Sequence, residues 1–231
     1  MAFASLQFNR WIARAALAFA LSLAGVGFAE AGSQPMQFHV APLQSEDCGA
    51  SCPNVVIADG VIEPDTPDVF VDFARQAAHA GNLKSVMLIN SPGGNVIASM
   101  EFGERLRQLG MAAIVAGYGY DGMRAGATPG ECVSACVYAL MGAVRRVAPE
   151  QSRVALHRMS VAEASVPTRG RIGTISRRFA DKRLVDIVAS YARQMGGSPD
   201  VVRQAESLDP DHIRMLSERE MRRWRLAQPK L

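Results

Sequence analysis

The sequence lacks a strong excess of charge of either sign. Its 231 residues include 25 lysines and arginines against 22 aspartates and glutamates, which leaves a net charge of only +3. Proteins that bind nucleic acid concentrate basic charge to neutralise phosphates, so this balance excludes nucleic acid as the default partner. No internal repeat or low-complexity tract interrupts the chain, and its hydrophobic fraction of 48% is that of an ordinary globular protein.

The N-terminal region lacks an apolar run long enough to span a bilayer. Arg10 and Arg14 precede the uncharged stretch Ala15–Phe28, and Ala29–Ala31 then places small residues at both ends of an A-x-A site. A spanning helix needs about 20 apolar residues, whereas this pattern is typical of a cleaved secretory signal. We therefore expect residues 1–31 to be a signal peptide and the protein to be periplasmic or secreted. An uncleaved anchor in the inner membrane is the alternative.

C-x-x-C spacing is also missing from the sequence. The four cysteines form two pairs with four-residue spacing, Cys48 with Cys52 and Cys132 with Cys136. An even cysteine count in an exported chain favours disulfides, and this spacing satisfies the Cα separation of a disulfide in a turn or helix. Tetrahedral metal sites usually use C-x-x-C, so we predict disulfides and no metal. Free thiols are the alternative, and the pairing is left open.

The order of predicted elements indicates an α/β protein with a parallel β-sheet. Short buried-strand patterns at Ser85–Asn90 and Ala112–Ala116 alternate with helical patterns that begin at Thr66 and Val96. Alternation at this spacing favours parallel strands with right-handed crossover helices.

The remaining segments divide the chain further. Residues 32–53, with Cys48 and Cys52, are expected to be a polar, irregular N-terminal segment, and residues 54–231 the folded domain. Gly117–Glu131 carries five glycines and a proline, which predicts a long loop. Arg169–Arg183 has six basic residues and one acidic residue, which favours a solvated helix face over an anion-binding patch.

Two local patterns mark candidate chemistry. Asn90–Gly94 reads Asn-Ser-Pro-Gly-Gly between a buried strand and a helix, where glycines permit close approach of the backbone to a ligand. Ser134 follows a glycine-rich stretch and begins an apolar helix, so it is either a helix cap or a nucleophile. His157 ends an apolar strand, and sites collect at the carboxyl ends of parallel strands.

In this order the motifs resemble the ClpP/crotonase superfamily, and most closely the proteolytic subunit of the Clp protease and its exported, periplasmic relatives. Leu88–Gly94 looks like the oxyanion loop, Val133–Ala135 like the nucleophile segment, and Ala155–His157 like the strand that bears the histidine. The resemblance spans about Val55–Leu226. It implies a ClpP/crotonase-like fold of β-β-α superhelical units and a serine peptidase activity.

The resemblance also implies a role for each site residue. Ser134 would attack the carbonyl, His157 would act as general base, and Asp209 would orient the histidine. Asp211 is the alternative acid. The backbone amides of Gly94 and Ala135 would hold the oxyanion. Gly93 and Val96 would border a bound peptide, together with Gly117–Glu131.

Several departures and rival interpretations accompany this resemblance. Arg158 follows the histidine where the Clp subunit has glutamine, and Cys132 and Cys136 bracket the serine. Lys182 is the alternative base in a Ser-Lys mechanism of the signal-peptide-peptidase type. A catalytically inactive scaffold or binding module of the cell envelope is a different class of function.

The expected partners follow from the same resemblance. We expect a peptide or protein substrate, a homo-oligomer and no cofactor. We expect no ATPase partner, because no feature recruits one and the periplasm supplies no ATP. Acyl-CoA chemistry of the crotonase type is disfavoured, because CoA is not expected outside the cytoplasm.

Overall fold

A computed structural model describes residues 34–44, 51–79, 81–121, 124–164, 175–209 and 211–230. The predicted signal peptide and Cys48 lie outside these residues. The strands are β1 Gln37–Pro42, β2 Asn54–Asp59, β3 Leu83–Asn90, β4 Ala112–Asp121, β5 Arg124–Pro129, β6 Glu131–Val133, β7 Arg145–Val147, β8 Arg153–Leu156, β9 Ser160–Ala164, β10 Ile175–Phe179 and β11 Arg214–Met215. The helices are α1 Thr66–Ala77, α2 Val96–Gln108, α3 Cys136–Gly142, α4 Lys182–Gln194, α5 Asp200–Glu206 and α6 Glu218–Arg223.

The main sheet consists of parallel strands that helices connect. β2, β3 and β4 are parallel neighbours, and β7 pairs in parallel with β4. β1 pairs antiparallel with β2 at one edge. Because α1 lies between β2 and β3 and α2 between β3 and β4, the connections are helical crossovers. The prediction of an α/β fold with a parallel sheet is confirmed.

A second set of short parallel pairings follows the strands of the main sheet. β6 pairs with β8, Ser91 forms a bridge with Cys132, and Ile62 forms a bridge with Gly94. After β2, β3 and β4, the chain therefore makes a pairing of this second set before the next helix begins. This order of strand, second strand and helix agrees with the expected β-β-α units.

The core gains much of its area from aromatic rings and closely packed helices. Phe70 of α1 and Phe102 of α2 are fully buried, with ring centroids 5.0 Å apart, and Phe38 of β1 contacts both. A Cβ on Gly142 would lie 2.1 Å from the carbonyl oxygen of Gly103, so these glycines let α3 approach α2 at backbone distance.

No helix among the described residues is long and apolar enough to cross a membrane.

The segment predicted as a loop at Gly117–Glu131 is instead a β-hairpin followed by β6. β4 continues to Asp121 and pairs antiparallel with β5, so that prediction was wrong. Glycine weakens strand propensity, but the paired backbones satisfy each other's hydrogen bonds. Tyr118 adds a tertiary contact, because its hydroxyl donates to the carbonyl oxygen of Pro42 at 3.0 Å.

Two further expectations about local structure were also wrong. The irregular N-terminal segment contains β1, which forms because Phe38 packs into the aromatic core and β2 offers a free edge. The expected helix face over Arg169–Arg183 contains β10, which pairs antiparallel with β9. Residues 169–174 lie outside the described residues, and α4 begins only at Lys182.

Candidate active site

Ser134 occupies a tight turn between β6 and α3. Its φ of +58° lies in the left-handed region, where a residue other than glycine carries a strain of roughly 1–3 kcal/mol. The Ser134 amide donates to the carbonyl oxygen of Ala155 at 2.9 Å, which fixes the turn against β8. The residue is half-buried and therefore reachable from solvent. A strained turn from strand to helix is the setting in which hydrolases present a nucleophilic serine.

The Ser134 hydroxyl is not a helix cap. The N-cap position of α3 is Ala135, and no side-chain capping hydrogen bond is present there. Among the described residues, no hydrogen bond engages the Ser134 hydroxyl. The interpretation of Ser134 as an ordinary N-cap therefore loses its support.

A disulfide between Cys132 and Cys136 closes around Ser134. The two Cα atoms lie 5.2 Å apart, within the usual range for a disulfide, and both side chains are fully buried. The disulfide prediction is confirmed for this pair. Cys52 is also disulfide-bonded, and Cys48 lies outside the described residues. The Cys132–Cys136 bond ties the last residues of β6 to the first residue of α3.

The two glycines of the Asn-Ser-Pro-Gly-Gly motif pack against this turn. Gly93 has a φ of +108°, and a Cβ there would lie 2.8 Å from the Ser134 Cβ and 2.7 Å from the carbonyl oxygen of Val133. Gly94 has a φ of +140°, and a Cβ there would lie 2.1 Å from the carbonyl oxygen of Ile62. Only glycine fits either position.

Hydrogen bonds from the same motif hold the glycines beside the serine. The Ser91 amide donates to the carbonyl oxygen of Glu131 at 2.8 Å, and the Val133 amide donates to the carbonyl oxygen of Ser91 at 3.0 Å. The buried Ser91 hydroxyl accepts the Gly93 amide at 3.1 Å. Asn90 accepts the Glu131 amide at 2.8 Å through its side chain. The motif is therefore docked on β6, directly before Ser134.

Two backbone amides near the serine lack a hydrogen-bond partner among the described residues, one in the exposed Gly94 and one in the fully buried Ala135. The position that a Cβ of Gly93 would take lies 3.1 Å from the Ala135 nitrogen, so the glycine loop and the start of α3 are adjacent. Amides at a helix start can stabilise negative charge. These are the two residues that the sequence predicts as oxyanion donors.

His157 follows β8, the parallel neighbour of β6. Because Val133 pairs with Ala155, Ser134 and His157 leave adjacent strands at the same end. The half-buried ring has its Nδ1 2.8 Å from the carbonyl oxygen of Arg158. A carbonyl can only accept, so this hydrogen bond requires a proton on Nδ1, and in that tautomer of the neutral ring Nε2 is the acceptor. This is the tautomer that a general base requires.

The candidate side chains of Ser134 and His157 follow paired strands but are not joined by a hydrogen bond. Among the described residues, none links Ser134 to His157, and none links His157 to a carboxylate. Catalytic hydrogen bonds are often long in free enzymes and tighten when substrate binds.

The two candidate acids lie in the turn that leads into β11. The exposed Asp209 accepts the Asp211 amide at 3.1 Å through its carboxylate. Asp211 is 84% exposed and pairs with Arg177 at 2.7 Å. β11 pairs antiparallel with β8, and Arg214 lies opposite Leu156. The turn is therefore close to His157, while the choice of acid stays a prediction.

Lys182 is placed poorly for a catalytic base. It is the first residue of α4, its side chain is 88% exposed, and it pairs with Asp186 at 2.6 Å. A lysine that acts as a base must be desolvated to lose its proton near neutral pH. The alternative of Lys182 as the base is therefore disfavoured by its exposure.

Glu206 is a residue that sequence reasoning missed. Its side chain is 13% exposed, and its carboxylate accepts the Met159 amide at 3.0 Å and lies 3.8 Å from Nε of Arg158. Arg158 also stacks on Phe179 at 4.3 Å. Glu206 therefore anchors the segment directly after His157. Nothing in the local sequence distinguishes it from other helix-terminal glutamates.

Glu206 also acts on the buried face of α3. Burial raises the pKa of Tyr138, and the nearby charge of Glu206 raises it further. Tyr138, a residue of α3, is buried and stays a neutral phenol at physiological pH. A single carboxylate is thus close to both the histidine segment and the helix that begins at the serine.

Val96, the other residue expected to border a peptide, is the first residue of α2 and is half-buried. The Asn95 side chain caps this helix by accepting the Ala98 amide at 2.9 Å. Val96 therefore follows the glycine pair on a fixed helix start.

Among the described residues, no group of three or more histidine, cysteine, aspartate or glutamate side chains is arranged to hold a metal.

Comparison with known proteins gives structural similarity only. No protein-family model matches the sequence, and no curated protein matches it. Among solved structures, the chain is similar to a serine-to-alanine variant of a membrane-bound stomatin-specific protease, with 16% identity, 75% of each chain covered and a TM-score of 0.49. It is also similar to a lysine-to-alanine variant of that protease in complex with a substrate peptide, with 18% identity, 75% of this chain and 71% of the other covered, and a TM-score of 0.48.

Proposed function

We propose that this chain is a serine hydrolase of the ClpP/crotonase type that cleaves peptide bonds. The observation that carries the proposal is the strained, uncapped Ser134, which is packed against Gly93 and hydrogen-bonded to β8, the strand that His157 follows. A structural serine gains nothing from a left-handed conformation, whereas a nucleophile gains exposure of its hydroxyl.

The proposed chemistry assigns one role to each group. Nε2 of His157 takes the Ser134 proton as Oγ attacks the substrate carbonyl, and the amides of Gly94 and Ala135 stabilise the oxyanion. The protonated histidine then gives its proton to the leaving amine, and the C–N bond breaks. Water, activated by the same histidine, hydrolyses the acyl-enzyme and restores the serine.

Asp209 is the proposed orienting acid, with Asp211 as its alternative. The proximity of their turn to β8 supports the proposal, and rotation of the His157 ring would exchange the Arg158 carbonyl for a carboxylate. We expect Asp209→Asn to lower kcat/KM at least 100-fold. We expect Asp211→Asn to stay within threefold, because the Asp211 carboxylate is already paired with Arg177. Full activity in both variants would leave the Arg158 carbonyl as the orienting group.

The decisive experiment is labelling of the full-length protein with a fluorophosphonate probe. We expect labelling of the wild type and none of Ser134→Ala. Ser85→Ala is the matched control, because Ser85 is an exposed serine of β3 outside the site. Absence of labelling in a well-folded wild type would support the inactive scaffold instead.

We also propose that the protein works outside the cytoplasm, in the periplasm or as a secreted protein, as a homo-oligomer without an ATPase partner. The basic and apolar start of the sequence supports export, and so does the disulfide between Cys132 and Cys136. A fusion of alkaline phosphatase to the C-terminus tests the location. Activity of the fusion only when residues 1–31 are present supports export.

A further inference from the structure

A cavity at the opposite end of α3 from Ser134 is lined by cationic side chains. It has a volume of about 630 Å³ and lies between β7, the end of α6 and the segment that follows α6. Its lining includes five basic residues, Arg145, Arg146, Arg222, Arg225 and Lys230, and no acidic residue among the described ones. Cavities that bind small molecules typically measure about 300–1,000 Å³, so this cavity is large enough for an organic anion.

Arg146 of the lining has a second guanidinium group beside it, that of Arg107, which does not itself line the cavity. Arg146 donates to the carbonyl oxygens of Met141 and Met195 at 2.7 and 2.9 Å, and Arg107 donates to the same two oxygens at 3.4 and 3.0 Å. Burial lowers the pKa of Arg146, and the charges of Arg107 and Arg225 lower it further. Like charges at such proximity repel each other, and an anion in the cavity would relieve that repulsion.

Arg225 supplies a second, independent observation. It follows α6 with a φ of +51°, in the left-handed region where glycine is the residue without strain. The chain therefore places a cation at a position where conformational stability favours glycine. Stability does not explain the arginine, whereas a charge directed at the cavity does.

Among the described residues, no acidic side chain that lines the cavity neutralises these basic side chains. Arg222 pairs with Glu218, which is not among the lining residues. Arg145 and Lys230 are exposed at the cavity. Val144, which is 46% exposed, and Val147 add apolar surface to the lining.

We propose that this cavity binds a phosphate ester, with the phosphate held by arginine side chains and the organic part against Val144 and Val147. Arginine matches the geometry of phosphate oxygens through paired N–H donors, and the apolar wall favours an ester over a bare inorganic ion. The phosphate belongs either to a soluble metabolite or to a lipid headgroup. The site is independent of Ser134, which lies at the other end of α3.

Titration calorimetry of the full-length protein with glycerol phosphate tests the soluble source. Flotation with phosphatidylglycerol vesicles, compared with phosphatidylcholine vesicles, tests the lipid source. We expect the double variant Arg145→Gln, Arg225→Gly to bind the active probe at least tenfold more weakly. The glycine relieves the backbone strain at position 225, so loss of folding does not explain lost binding.

Arg223→Gln is the matched control, because Arg223 is an exposed arginine of α6 that does not line the cavity. We expect it to bind within twofold of the wild type, and Ser134→Ala likewise. Saturable binding of either source supports the site. The proposal is overturned if no phosphate probe binds saturably, or if the control loses as much affinity as the double variant.

Discussion

Gly93 and Ser134 touch at backbone distance: a Cβ on the glycine would lie 2.8 Å from the Cβ of the serine. This contact joins the Asn-Ser-Pro-Gly-Gly motif to a serine about 40 positions later in the chain. Both residues have positive φ, which glycine adopts readily but which Ser134 keeps only because its surroundings hold it there.

Gly93→Ala tests this contact. The new methyl group would overlap Ser134 and the Val133 carbonyl, so we expect a loss of about 2–4 kcal/mol in the free energy of unfolding. We also expect loss of fluorophosphonate labelling. Gly110→Ala is the matched control, because Gly110 has a φ of +63° but no neighbour within 4 Å of the new Cβ. Equal losses in both variants would show that only backbone strain matters.

Removal of the disulfide around the serine tests its role in holding the turn. For the double variant Cys132→Ala, Cys136→Ala, we expect the free energy of unfolding in urea to fall by about 2 kcal/mol, the value for a short closed loop. We expect fluorophosphonate labelling of Ser134 to slow as the turn loosens. Unchanged labelling with reduced stability would make the bond purely structural.

Glu206→Gln tests whether the buried carboxylate positions His157. The change weakens the bond to the Met159 amide and the pairing with Arg158, so we expect a cost of about 1–3 kcal/mol in stability. We expect kcat to fall with KM unchanged, because the histidine moves while the peptide site does not. Asp200→Asn, on the same helix but in an exposed pair with Arg203, should cost under about 1 kcal/mol and leave kcat unchanged. A Glu206→Gln enzyme with normal kcat would reduce Glu206 to a packing residue.

The capping box of α6 gives stability a dependence on pH. The backbone hydrogen bond from Ser217 lowers the pKa of Glu220, with the Ser217 hydroxyl and Arg214 acting in the same direction. A lowered folded pKa means that the stabilisation is present above the unfolded value of about 4.3 and is lost as pH falls through the folded value. We expect the wild type to exceed Glu220→Gln in urea midpoint at pH 7 and the difference to shrink as pH falls below about 4.3. An advantage that does not shrink between pH 7 and pH 3 would contradict this assignment.

Local patterns were sufficient for much of the fold. Short apolar runs identified β3 and the start of β4, because a strand buried on both faces needs nothing but apolar side chains. The Ser-x-x-Glu spacing of Ser217 and Glu220 is sufficient to specify the capping box, since both partners lie within one helical turn. The β4–β5 hairpin was not predicted because its glycines lack strand propensity. Each of the two strands depends on pairing with the other rather than on the propensity of its own residues.

The sequence by itself determined which residues are candidates for catalysis, because the order of the glycine motif, Ser134 and His157 is a property of the chain. Tertiary structure alone decided how they are held: the left-handed turn at Ser134 and the place of Glu206. These depend on contacts between elements that are far apart in sequence, and their geometry arises only when the sheet and helices pack. The structure also showed that Lys182 is exposed, which disfavours it as a catalytic base. The exposure of a lysine cannot be predicted from its neighbours in the chain.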